Sequence, residues 1–153
     1  MRLTEILRPE NVKLPIDATA KTEAIGELLD LLEANGELAQ PDKVREAVLE
    51  RERTRTTGIG DGMAIPHGKT DGVAHLTMAF GRTEKPIDFE SVDGKPVSLI
   101  WLLTSPADQT HPHVVALGRV SKILSQPAVR RRLLDAKTAR EIYEIIAEQD
   151  EQV

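Results

Sequence analysis

Apolar positions recur at two spacings along the chain, and the change between them marks three stretches. In the first, Ala24, Ile25, Leu28, Leu29 and Leu32 keep to one face of a helix from about 20 to 34. Thr19 stands where an N-cap belongs, and Asn35-Gly36 is a helix stop. Before it, residues 3–8 predict a short amphipathic turn and Val12 to Ile16 an extended segment. A second helix is expected from Pro41, since proline is favoured in a first turn, with Val44, Ala47 and Val48 inward. The middle stretch reads as strands. Gly58 to Gly62 is expected to be loop, Met63 to Ile65 a short strand and Val73 to Arg82 a longer one. Asp93-Gly94 is a turn signal. Val97 to Leu103 is nearly all apolar, as in a central strand covered on both faces. The last stretch returns to helical spacing. His111-Pro112-His113 opens a helix running to about Ser125, and Pro127 opens another carrying Val129, Leu133 and Leu134. Thr138 with Glu141 forms a capping box ahead of Ile142, Ile145 and Ile146, and residues 149–153 are expected to fray. Helices, then strands, then helices predict an α/β fold around one sheet.

Composition narrows the classes of function. The 153 residues suit a single domain, 1–153, with its core at about 3–148. With one Trp, one Tyr and two Phe, the core must be aliphatic. No cysteine is present, so disulfides, thiolate metal sites and cysteine nucleophiles are excluded. A net charge of −5 argues against nucleic acid as a partner. No segment approaches the roughly 18 apolar residues of a membrane span, and Met1 to Glu5 lacks an apolar signal core, so a cytoplasmic protein is expected, not one embedded in a membrane.

Candidate chemistry gathers at Thr57-Gly58-Ile59-Gly60-Asp61-Gly62-Met63-Ala64-Ile65-Pro66-His67-Gly68, which displays one histidine between a proline and a glycine at a strand's end. Imidazole changes charge near neutral pH, so His67 is a natural reactive group. Two helical stripes carry polar intruders. Arg51 lies at i+7 from Val44, and His113 precedes Leu117, Val120 and Leu124 at i+4, i+7 and i+11. An inward arginine and histidine are costly unless paired. Together with a glycine-rich loop and a helix N-terminus, they suit a dianionic group such as phosphate. A neutral His67 would attack phosphorus while a second imidazole donates to a phosphoryl oxygen. Each residue also has a plain structural reading: His67 and His113 as satisfied histidines, Arg51 as a helix-end cation. Arg130-Arg131-Arg132 reads as a solvated face, and Asp88, Asp93 and Asp108 as turn residues. A competing function is a metal-dependent hydrolase using His67, His75, His111, His113 and Asp61, although no His-Glu-x-x-His motif is present. A binding module that has lost its chemistry is a third reading.

Residues 57–69 resemble the signature of the IIA domains of the bacterial phosphoenolpyruvate:sugar phosphotransferase system, of the fructose/mannitol type, a group that includes the nitrogen-regulatory IIA proteins. Leu49-Glu50-Arg51-Glu52, Pro86-Ile87-Asp88-Phe89 and Ala107-Asp108-Gln109-Thr110 extend the resemblance over essentially the whole chain. It implies a mixed β-sheet flanked by helices on both sides. It implies phosphorylation of His67 at Nε2, with Arg51 stabilising the phosphoryl group and Thr57, Gly58, Gly60 and Gly68 around it. His113 would be the second active-site histidine. His111 competes for that role, and the inward phase of the helix favours His113. The implied activity is that of a phosphoryl carrier, a phosphotransferase component charged by HPr or an HPr-like phosphocarrier. It would pass the group to a IIB component or signal to regulated target proteins. Ile59 and Met63 would belong to the docking surface, and no metal or organic cofactor is implied.

Overall fold

The computed structural model describes residues 1–153. Six strands form one sheet: β1 (Val12–Ile16), β2 (Gly58–Gly60), β3 (Met63–Ala64), β4 (His67–Lys69), β5 (Thr77–Ile87) and β6 (Val97–Ser105). The order is β1-β5-β6-β3-β2, with β4 also paired to β6. β6 runs antiparallel to β5 on one side and parallel to β3 and β4 on the other, while β1 pairs parallel to β5 and β2 antiparallel to β3. β3 and β4 therefore follow one another along the same edge of β6, as a single strand broken at Ile65-Pro66.

The near-continuous apolar run of β6 has its reason in the layers above and below it. Helices α1 (Lys21–Ala34) and α2 (Pro41–Thr54) cover one face; α3 (Thr110–Leu124), α4 (Pro127–Asp135) and α5 (Ala139–Gln152) cover the other. Leu99, Trp101 and Leu103 pack with Val120, Ile123 and Ile146 on the second face. Ile100 and Leu102 alternate to the first, among Leu28, Leu32 and Val48. Two buried faces leave no polar register on the strand. Phe80 sits opposite Trp101 in the ladder and meets it edge to face at 5.5 Å. The mixed sheet with helices on both sides is the expected architecture.

Local boundaries differ where pairing overrides pattern. Gly58 to Gly60 is strand, not loop, because β3 supplies its partner. Positive φ at Gly60, Asp61 and Gly62 then turns the chain back. The long strand begins at Thr77, not Val73, and continues to Ile87 through an irregular stretch between Arg82 and Ile87 that breaks the alternation. The N-cap of α1 is Ala20 rather than Thr19, with no side-chain cap. Ala47 is only half-buried and Leu134 is exposed. Thr138 caps α5 as expected, its hydroxyl accepting from the Glu141 N–H at 3.1 Å. The end of α5 does not fray: it is helical to Gln152, with Asp150 buried against Arg119 at 2.7 Å.

Candidate functional site

The ladder between β4 and β6 decides which way the histidine faces. His67 pairs with Leu103 and Gly68 with Thr104, so His67 shares the α3 face of the sheet with Leu103 while Gly68 turns towards α2. A Cβ on Gly68 would lie 3.2 Å from the Val48 backbone nitrogen, so glycine is what lets β4 lie close on α2. The break at Ile65-Pro66 frees a carbonyl for the imidazole: His67 Nδ1 is 2.8 Å from the Ile65 oxygen. A carbonyl only accepts, so Nδ1 carries the proton and Nε2 keeps its lone pair. Burial holds the His67 pKa below its ordinary value. The Ile65 hydrogen bond opposes this, the Arg51 charge adds to it, and Glu52 opposes it.

His113, in the first turn of α3, is 6% exposed, with its ring centroid 5.5 Å from that of His67 and the planes tilted by 58°. Its Nδ1 lies 2.7 Å from the Ser105 hydroxyl. Burial, then the neighbouring His67 and the Lys69 charge, lower its pKa to about 4. His111 is two residues earlier on the helix and exposed. Of the two candidates, His113 is the one packed against His67.

Arg51, in the last turn of α2, is half-buried; one of its guanidinium nitrogens donates to the Arg55 carbonyl at 2.8 Å. It lines, with His67, Thr57, Gly58, Ile65 and Leu117, a cleft of about 280 Å³. Thr57 and Gly58 thus reach the cleft; Gly60 and Gly68 do not line it. Gly60 makes the β2–β3 turn, and Gly68 faces α2. The N–H and hydroxyl of Thr57 are engaged elsewhere: they donate to Glu52 at 2.8 and 2.5 Å. Glu52, 6% exposed, is paired on its other side with Lys21 Nζ at 2.9 Å. This buried carboxylate fastens the end of α2 to the start of β2, beside Arg51. Glu52 is absent from the sequence-derived candidates, yet it stands at i+8 from Val44 and i+4 from Val48, on the inward stripe itself. Ser105 is likewise absent from those candidates, because it lies two residues beyond the apolar run 97–103. No three His, Asp or Glu side chains converge as a metal ion would require. The ligand set of a metal hydrolase is therefore not assembled. No helix is long and apolar enough to cross a membrane.

A neutral imidazole with a free Nε2 shares a cleft with an arginine and has a second imidazole packed against it, a set able to receive a phosphoryl group. Residues 5–149 match the family model described as phosphoenolpyruvate-dependent sugar phosphotransferase system, EIIA 2. The fructose-specific EIIABC component of Bacillus subtilis (strain 168) is 37% identical over 150 residues, covering 98% of this chain and 24% of that protein, so the chain spans about a quarter of its length. A nitrogen regulatory protein of Bradyrhizobium diazoefficiens is 34% identical over 148 residues, 96% of this chain and 95% of that one. Among solved structures, the nitrogen regulatory protein IIA-Ntr from Neisseria meningitidis superposes with a TM-score of 0.87 at 36% identity, over 94% of this chain and 98% of that chain. With the match running through both helical layers and the sheet between them, the chain belongs to the EIIA 2 family of the phosphoenolpyruvate-dependent sugar phosphotransferase system.

Proposed function

We propose that this chain carries a phosphoryl group on His67 Nε2. The observation that carries the reading is the Nδ1–H bond to the Ile65 carbonyl, which leaves Nε2 unprotonated beside the Arg51 cleft. The Nε2 lone pair attacks phosphorus as the bond to the donor breaks, its electron pair leaving with the donor. The lowered pKa keeps the nucleophile neutral at pH 7. Arg51 meets the phosphoryl charge, and His113 donates a hydrogen bond to one of its oxygens. Catalysis in such transfers is chiefly positioning and charge stabilisation. The reading calls for no metal or organic cofactor, because a side chain is the nucleophile and a guanidinium answers the charge.

The donor in this reading is HPr or an HPr-like phosphocarrier, met in the cytoplasm. The acceptor is a IIB component, or the phosphorylation state is read by regulated target proteins. Family membership and relatives of both transport and regulatory kinds support this pair of outlets. Exposed Ile59, and Val92 beside it on the cleft rim, suit a transient docking surface around His67; Met63, by contrast, is buried in the sheet. The test is to incubate the protein with phosphoenolpyruvate, enzyme I and HPr and to read the intact mass. One acid-labile phosphoryl group is expected on the wild type and none on His67→Ala. A wild-type protein that stays unlabelled with cognate HPr-type donors overturns the reading.

A further inference from the structure

Ser105 closes β6 and is fully buried. Its backbone is fixed on two sides: it pairs with Lys69 in the ladder, and its carbonyl accepts the Thr70 N–H at 2.8 Å. Its hydroxyl has a single hydrogen-bond partner, His113 Nδ1, at 2.7 Å. Two arrangements satisfy that distance. If His113 Nδ1–H donated to the serine oxygen, the serine proton would be buried with nothing to accept it, which is the costly way to leave a hydroxyl. If the serine donates, only a lone pair on its oxygen goes unused. The second arrangement puts the ring proton of neutral His113 on Nε2.

We propose that Ser105 is a positioning residue for phosphoryl transfer: its hydroxyl donates to His113 Nδ1 and so holds that ring as the Nε2–H tautomer, with its remaining nitrogen a donor. The two neighbouring histidines then stand in opposite tautomers. His67, tied at Nδ1 to a carbonyl that only accepts, offers a lone pair; His113, tied at Nδ1 to a hydroxyl that donates, offers an N–H. One is fitted to bond phosphorus and the other to hold a phosphoryl oxygen, so neither competes for the other's part. The break between β3 and β4 supplies the first tie and the end of β6 the second. Leu103 opposite His67 and Ser105 two residues on lie along the same face, with His113 above them. The purpose assigned to this tautomer rests on the phosphoryl-carrier reading; the tautomer itself does not.

Long-range nitrogen–proton NMR on the unphosphorylated wild type reads the tautomer directly. The expected spectrum has the proton of His113 on Nε2 and that of His67 on Nδ1; a His113 proton on Nδ1 overturns the proposal. Ser105→Ala, with the fold checked by its amide spectrum, is expected to make the Nδ1–H form of His113 detectable. It should also slow phosphoryl acceptance about fivefold, the rate equivalent of one hydrogen bond. Ser105→Thr, which keeps the hydroxyl, should restore both. A folded Ser105→Ala that labels as fast as wild type overturns the proposal; if that variant does not fold, the wild-type tautomer decides it. A wild type that takes no phosphoryl group overturns the carrier reading instead, and leaves the tautomer measurement intact.

Discussion

Two imidazoles 5.5 Å apart are both held neutral, and this ties the site to the stability of the protein. For His113 the pKa falls from 6.5 to about 4, through burial first and then the neighbouring His67 and the Lys69 charge. In that interval the unfolded chain binds a proton that the folded chain refuses. Stability is therefore complete above pH 6.5 and declines as the pH falls from 6.5 towards 4, by up to about 3 kcal/mol from His113. His67, shifted in the same direction, adds to the decline. Urea denaturation between about pH 7 and pH 4 should follow this slope, and His113→Gln should flatten it; an unchanged slope in the variant would place the effect elsewhere. Helix phase was enough to pick out Arg51 and His113 in the sequence. It was not enough for Glu52, because a carboxylate on an apolar stripe has no meaning until Lys21 and Thr57 are seen around it. The basic run 130–132 is similarly resolved by its partners. Arg130 donates to the Leu124 carbonyl at the end of α3, and Arg132 pairs with Glu148.

At the scale of elements, the site depends on how closely β4 lies on α2. The approach at Gly68 is backbone against backbone, so added volume cannot be absorbed by a rotating side chain. Gly68→Ala is expected to cost about 1–3 kcal/mol and to displace His67, one residue away. Thermal unfolding and phosphoryl labelling should both register the change; full stability with full labelling would show that the two elements can part freely. Helices were the legible elements, since each writes its own 3.6-residue stripe. β2 has the sequence of a loop because three residues with two glycines carry no pattern, and only pairing with β3 makes them a strand. The end of the long strand is hidden for a related reason: its irregular pairing between Arg82 and Ile87 removes the alternation that marks a strand.

Across the whole molecule, one buried ion pair joins the ends of the chain to the helix of the second histidine. Arg119 of α3 donates to Asp150 at 2.7 Å and to the carbonyls of Asp150 and Val153, while Asp150 accepts the Thr4 N–H at 3.2 Å. Burial works to raise the Asp150 pKa, but the Arg119 bond and the N–H groups of Leu3 and Thr4 hold it below the usual carboxylate range. Asp150→Ala strands a partly buried arginine and is expected to cost about 2–4 kcal/mol in chemical denaturation. At temperatures where the variant remains folded, labelling of His67 should persist; loss of labelling in a folded variant would mean that the tether also shapes the site.

The sequence alone determined the helices and the apolar central strand, because these rest on local spacing, and it put forward His67, Arg51 and His113 as candidates through helix phase and a family signature. The tertiary structure decided what those residues are. Which imidazole nitrogen holds a proton depends on the Ile65 carbonyl in one ring and the Ser105 hydroxyl in the other. Whether Arg51 meets His67 depends on a sheet edge lying under α2 and on the Glu52 link that holds the helix end. Proton placement, burial and cleft shape are properties of neighbours distant along the chain, and those neighbours exist only once β4 has paired with β6.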